Sequence, residues 1–185
     1  MVIRKISRMG HPVLRRPAAS VDDPTAARIK DLILDMIDTM GDAQGVGLAA
    51  PQVYESRRLV IFHEIEEPVP GDEETKSQTG APLIILINPQ IEILTDETDE
   101  DWEGCLSVPG MRGLVPRYTH LRYSGVDPEG RLIEREARGF HARVVQHECD
   151  HLDGILYPQR MTDLSKLIFE TEGRHWDLPS EDEVV

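Results

Sequence analysis

Apolar residues recur at three- and four-residue steps between Asp23 and Gly41. Ile29, Leu32, Ile33, Met36, Ile37 and Met40 fall on one stripe, and Lys30, Asp31, Asp35 and Asp38 face away from it. The spacing predicts an N-terminal amphipathic helix that Asp23 caps, Pro24 enters and Gly41 follows, with its methionines in the core. Residues 58–63 (RLVIFH) predict a strand. Residues 83–88 and 91–94 predict two more around a bend at Pro89. Strands are also expected at 114–116, 119–126 and 131–137, the last two joined by the turn sequence Asp127-Pro128-Glu129-Gly130. Residues 140–153 predict a helix that ends at Gly154, and a short helix is expected near 163–172.

The remaining stretches read as connections. Residues 1–22 are expected to drape over the surface. GVGLAAPQ at 45–52 is a small-residue loop, 64–80 an acidic loop, 96–101 a second acidic stretch, and 173–185 an acidic tail containing Pro179. Neither an internal repeat nor a linker divides the chain, so one domain over 1–185 is expected. Strands with few, segregated helices give an α+β fold.

Composition narrows the partners. With 39% hydrophobic and 29% charged residues, the 185-residue chain has the make-up of a folded protein that needs no disulfide staples. Lys and Arg number 20 against 34 Asp and Glu, a formal net charge of −14, and no Lys/Arg run is present. A protein that tracks a phosphate backbone, or lies on an anionic membrane, wants the opposite balance. No direct DNA binding and no membrane association are expected. Two cysteines, Cys105 and Cys149, do not make a disulfide framework. The N-terminus has no apolar core of a signal peptide, and no apolar run approaches the ~20 residues that span a bilayer. A reducing cytoplasm is the expected location.

The sharpest chemical feature is His147-Glu148-Cys149-Asp150-His151. Residues four apart share one helix face, so His147 and His151 are able to present ring nitrogens to a single metal ion. Glu148 lies ~100° round the helix from His147, beside the ion rather than on it, where a base for an activated water belongs. Cys149 lies ~200° away and points elsewhere. A catalytic divalent ion keeps three protein ligands and one open position. The third ligand is open among Asp and Glu residues, other histidines, and Cys105 in Glu103-Gly104-Cys105-Leu106-Ser107, although a lone cysteine is more often a small buried hydrophobe. In GVGLAAPQ the small residues permit close approach of a substrate backbone, and Gln52 carries an amide donor suited to an oxyanion.

Together GVGLAAPQ (45–52), EGCLS (103–107) and HECDH (147–151) resemble, in order, the three motifs of the peptide deformylase family. The resemblance covers roughly 5–165. It implies an α+β fold with mixed or antiparallel strands packed around a central HExxH helix. It also implies removal of the formyl group from the formyl-methionine that starts new polypeptides. Cys105, His147 and His151 would hold one divalent ion, Fe(II) by family habit, with nickel, cobalt or zinc as substitutes. Hydroxide on that ion would attack the formyl carbon. Glu148 would serve as general base and acid, and Gln52 and the Leu106 N–H would meet the oxyanion. Val46, Gly47 and Gly104 would offer backbone hydrogen bonds to the peptide. Phe140 and Val144 would line the methionine pocket. Arg143 falls near the same face, where its head either snorkels out or meets peptide backbone or carboxylate; Glu103 and Arg117 would pair and brace the EGCLS strand. Some bacterial members contact the ribosome through a long basic C-terminal helix, a character this acidic tail lacks. Two alternatives remain at this stage. One is an HExxH metallopeptidase, which would take a downstream His or carboxylate as third ligand. The other is a non-catalytic module stabilised by a closed four-ligand metal site.

Overall fold

A computed structural model describes residues 2–65 and 81–176. The expectations for 66–80 and for the tail from 177 fall outside these residues.

The apolar run at 59–63 is buried on both faces, and this sets the layering. It forms β2 (Leu59–His63), which pairs antiparallel with the short β1 (Gly47–Ala49) on one side and with β3 (Leu83–Ile93) on the other. The sheet continues through β6 (His120–Val126) and β7 (Leu132–Arg138) in the order β1-β2-β3-β6-β7. Successive side chains of a strand point to opposite faces. Val60 and Phe62 therefore enter one core with Val144, Val145, Cys149 and Leu152 of α2 (Gly139–Leu152). Leu59 and Ile61 enter a second with Ile29, Leu32, Ile33, Met36 and Met40 of α1 (Ala27–Asp42). A three-stranded antiparallel sheet, ordered β4 (Thr98–Glu103), β5 (Met111–Tyr118) and β8 (Ile168–Phe169), lies against the remaining side of α2. Gln146 of α2 both accepts from the Tyr118 N–H (3.1 Å) and donates to the Tyr118 carbonyl (2.9 Å), tying helix to strand. Every residue of α2 from His141 to Leu152 is buried. The fold is α+β with antiparallel sheets and few helices. Among the described residues, no helix is long and apolar enough to cross a membrane.

Several expectations change in instructive ways. Asp23 caps a turn, accepting from the Thr25 N–H (2.9 Å), and α1 begins only at Ala27. Pro89 does not end a strand. A register shift between Ile87 and Gln90 lets β3 run through it, because a bulge leaves a residue outside the ladder where proline's missing donor costs nothing. Asn88 at φ +53 forms the bulge and exchanges two 2.9 Å hydrogen bonds with the Val21 backbone. The acidic stretch 96–101 leads into β4, whose charged residues lie on an outer strand where one side meets water. The small-residue loop at 45–52 contributes β1 and a turn of 3-10 helix, Ala50–Val53. In place of the short helix near 163–172 stand two 3-10 segments, Leu164–Lys166 and Glu170–His175, on either side of β8. The N-terminal segment is anchored rather than draped: Ser7, Leu14, Ala18 and Val21 are buried.

The end of α2 shows how tightly that segment is held. Ala18 N–H donates to the Leu152 carbonyl (2.7 Å). Gly154 sits at φ +74, and a Cβ there would stand 2.6 Å from the Arg16 nitrogen and 2.7 Å from the Arg15 carbonyl carbon. Gly130 has φ +81 but open space, with Thr25 Cγ2 at 3.9 Å. Gly130→Ala is expected to cost about 1 kcal/mol, the left-handed backbone penalty alone. Gly154→Ala adds a backbone collision and is expected to cost about 2–4 kcal/mol. Urea unfolding midpoints at constant slope measure both; equal shifts would mean that the N-terminal segment yields freely.

Candidate active site

Three segments converge on α2. His147 and His151 project from the helix one turn apart, with ring centroids 5.1 Å apart. Cys105 follows the end of β4, and its Sγ lies 3.3 Å from His151 Nε2. The donor atoms of Cys105, His147 and His151 all fall within 4.8 Å of one another, and they are the group of three such donors found among the described residues. Cys149 lies in the core between α2 and the five-stranded sheet, its thiol pushed well up by burial. It is not one of the converging donors.

His147 and Cys105 are each oriented by a neighbour, whereas the buried Nδ1 of His151 has no hydrogen-bond partner among the described residues. His147 Nδ1–H donates to Glu103 Oε2 (2.9 Å), which leaves Nε2 to face the triad. Tyr157 stacks beside the His147 ring at 6.3 Å and 23°. Ser107 N–H donates to Cys105 Sγ (3.4 Å). Gln52 is 1% exposed, and its Oε1 accepts from the Ala49 N–H (2.8 Å). That bond turns its Nε2 toward Cys105 Sγ (3.6 Å) and Ser107 Oγ (3.2 Å). The amide therefore points its donor into the site.

Burial and charge act in opposition here. For Glu103, burial alone would raise the pKa, but Arg117 and the His147 hydrogen bond hold it well below the usual carboxylate range. Burial would lower His147, yet Cys105 and Glu103 raise it well above an ordinary histidine; His151 is lowered by burial and by His147. Glu148 is pushed up to about 7 by burial, and its Oε2 has no hydrogen-bond partner. Burial outweighs the pull of the neighbouring His147 on this carboxylate, and Glu103 adds to the rise.

The residues expected to bind substrate divide. Val46's carbonyl accepts from His63 N–H (2.9 Å) and so faces β2. Strand alternation then turns the Gly47 backbone groups to the open edge of the sheet, where β1 is the outermost strand. Gly104 is buried at the end of β4, and Leu106 packs beside the α1 core. Val144 is fully buried, and Phe140 lines a cleft with Asp99, Asp101 and Arg138. Arg143 requires a correction. Its guanidinium neither snorkels to water nor stands ready for peptide. It donates to Glu103 Oε1 (3.0 Å), the Val115 carbonyl (2.7 Å) and the Asp99 carbonyl (2.9 Å), and it is 3% exposed. A buried cation takes the nearest carboxylate and carbonyls because leaving it unpaired is costly.

Sequence reasoning assigned Glu103 and Arg117 only to each other. The structure adds His147 and Arg143 to Glu103, and it adds Asp150, which accepts from Arg117 (2.6 Å) and from Arg160 (2.6 Å). Asp150 stands three residues after His147, and that spacing alone places it near the same helix face. The role of Tyr157 had no sequence signal.

A thiol, two imidazoles at i and i+4, a neighbouring carboxylate of raised pKa and an inward amide donor define a mononuclear metallohydrolase site on an α+β fold. The polypeptide deformylase profile matches residues 3–167. Peptide deformylase 1 of Bordetella pertussis is 56% identical over 168 residues, spanning 89% of this chain and 91% of that one. Peptide deformylase 2 of Ralstonia nicotianae is 49% identical and spans 97% and 98%. Among solved structures, the Thermotoga maritima peptide deformylase superposes with a TM-score of 0.76 at 34% identity, covering 88% of this chain and all of the other. A Met-Ala-Ser-bound class I type b deformylase from Acinetobacter baumannii gives 0.75 at 35%, covering 86% and 99%. The chain belongs to the polypeptide deformylase family.

Gly47 offers a test of the site's tightness. A Cβ there would stand 2.5 Å from Glu148 Oε1 and 2.8 Å from its Cδ. Gly47→Ala is expected to displace the Glu148 carboxylate while the triad keeps its metal. Turnover of a formyl-methionyl peptide should fall by about 10²–10⁴, the range for a misplaced general base. Metal analysis and kinetics on one preparation check it; wild-type turnover would show that Glu148 need not stand where it does.

Proposed function

We propose that this chain removes the formyl group from the N-terminal formyl-methionine of new polypeptides, as one catalytic domain acting in the cytoplasm. The observation that carries the reading is the convergence of Cys105, His147 and His151 with Glu148 and the inward Gln52 amide. These residues fit a single divalent ion. The thiol and two imidazoles supply three donors, Glu103 orients one imidazole, and the unpartnered buried oxygen of Glu148 lies on the next residue. Three ligands leave a position open, which argues against a closed structural site. A cysteine from outside the helix as third donor argues against the metallopeptidase pattern.

When bound, the ion supplies Lewis acidity, lowering the pKa of water and polarising the formyl carbonyl. A thiolate with two imidazoles does not select iron over zinc by itself. Fe(II), with nickel, cobalt or zinc as substitutes, rests on the family resemblance. Glu148 accepts the proton of the attacking water and returns it to the leaving amine. Gln52 Nε2 and the Leu106 N–H stabilise the oxyanion. The peptide lies along the open edge of β1, where Gly47 supplies backbone hydrogen bonds in strand addition, with Val46 beside it and Gly104 opposite. Phe140 and Val144 form the apolar side of the methionine subsite, and Arg143 braces the wall behind it.

Turnover of formyl-Met-Ala-Ser by anaerobically iron-loaded protein tests the proposal, and absence of turnover would sink it. Glu148→Gln keeps the shape but cannot take the proton. It should retain stoichiometric metal and lose about 10²–10⁴-fold in kcat, or more because the same carboxylate serves twice. Full metal with near wild-type turnover would remove Glu148 from the mechanism. Cys105→Ala should lose most of the metal and Cys149→Ala should keep it; equal loss in both would overturn the ligand assignment.

A further inference from the structure

The acidic balance of the chain conceals a local reversal of sign. Arg4, Lys5, Arg8, Arg15 and Arg16 precede the first carboxylate, Asp22. Part of this segment borders a groove of about 740 Å³, lined by Lys5, Arg8 and His11 together with Tyr54, Leu106 and Pro109. Arg4 also borders the groove but is neutralised by Asp35 and Glu55, each at 2.9 Å. Lys5 and Arg8 are exposed, and neither makes a salt bridge with a described residue.

The segment is fixed to the active site. Ser7 N–H donates to the Gln52 carbonyl and Met9 N–H to the Ser107 carbonyl, both at 2.7 Å. The backbone that carries Lys5 and Arg8 is therefore held beside the two loops that carry the oxyanion donors, and Leu106 belongs to both site and groove. A substrate that is the start of a long polypeptide must leave the cleft as extended chain, at ~3.3 Å per residue. The groove shares Leu106 with the site, so a chain that leaves past Leu106 meets it.

Resting on the function proposed above, we propose that this groove binds the substrate polypeptide beyond its third residue and favours acidic side chains there through Lys5 and Arg8. The sign makes the proposal exposed to refutation. A net charge of −14 acting as a whole would repel an acidic peptide and attract a basic one. Only a local contact within a Debye length of ~10 Å gives the opposite preference.

The test compares formyl-Met-Ala-Ser extended by three Glu, three Gln or three Lys residues, with metal-loaded wild type and the double variant Lys5→Gln/Arg8→Gln. That variant leaves the Ser7 and Met9 backbone bonds intact, and formyl-Met-Ala-Ser itself should turn over equally in both proteins. At low salt the Glu peptide should exceed the Gln peptide in kcat/KM by about threefold to tenfold, the scale of two exposed ion pairs. The advantage should vanish in 0.5 M NaCl and in the variant. Equal values for the Glu and Gln peptides, a Lys preference, or a Glu preference that survives in the variant would overturn the proposal. Anisotropy of a labelled, unformylated Met-Ala-Ser-Glu-Glu-Glu peptide reads the groove without turnover. It should bind wild type about threefold or more tighter than the variant, and equal binding would refute the groove whatever the activity shows. A single-stranded RNA oligomer that binds through Lys5 and Arg8, with the peptide preference absent, would reassign the groove to nucleic acid.

Discussion

The buried carboxylate of Glu103 is the constraint on which the site depends. It has no exposure, and alone it would carry a desolvation cost of several kcal/mol. Arg117 answers with two hydrogen bonds, at 2.8 and 3.0 Å, and Arg143 and His147 each add one. Those partners come from β5 and α2, while Glu103 itself ends β4. One carboxylate therefore joins three elements, and it stands two residues before Cys105 of the converging triad. Removing Glu103 itself would strip Arg117, Arg143 and His147 of a shared acceptor at once, so the network holds strand, helix and thiol in one geometry.

The parts of the fold legible in the sequence were those where a periodic pattern and its neighbours agree. The α1 stripe, the β2 run and the Asp127–Gly130 turn follow from local physics. Elements set by tertiary contacts were not legible. Thr98–Glu103 is rich in residues that strands avoid, and it is a strand because β5 supplies its ladder and Arg143 binds the Asp99 carbonyl. Pro89 stays within β3 because Asn88 takes a left-handed bulge tied to Val21. In the site, the converging donors were legible because they sit in compact motifs. The Glu103–Arg143 and Arg117–Asp150 contacts were not, because they join residues 40 and 33 positions apart. The partners of Arg143 were not legible for the same reason: helix phase indicates which way a side chain leaves, not which carboxylate waits for it.

Burial of α2 between two sheets explains why the site combines strong positioning with unusual acid–base properties. A helix exposed on one face would solvate its histidines and carboxylates and leave their pKa values near normal. Here every polar group from His141 to Leu152 must find a protein partner or carry an electrostatic penalty. Gln146, Arg143, His147 and Asp150 find partners on the β4–β5 side. Glu148 does not: its Oε2 is unpartnered and its pKa rises to about 7, beside Gly47 on the open edge of β1. The one unsatisfied carboxylate is thus the one whose proposed task is to exchange a proton. A neighbouring divalent cation would favour its ionised form. The network around Glu103 and the placement of Glu148 are complementary: the first fixes the converging thiol and imidazoles, and the second sets beside them a carboxylate with one oxygen unpartnered.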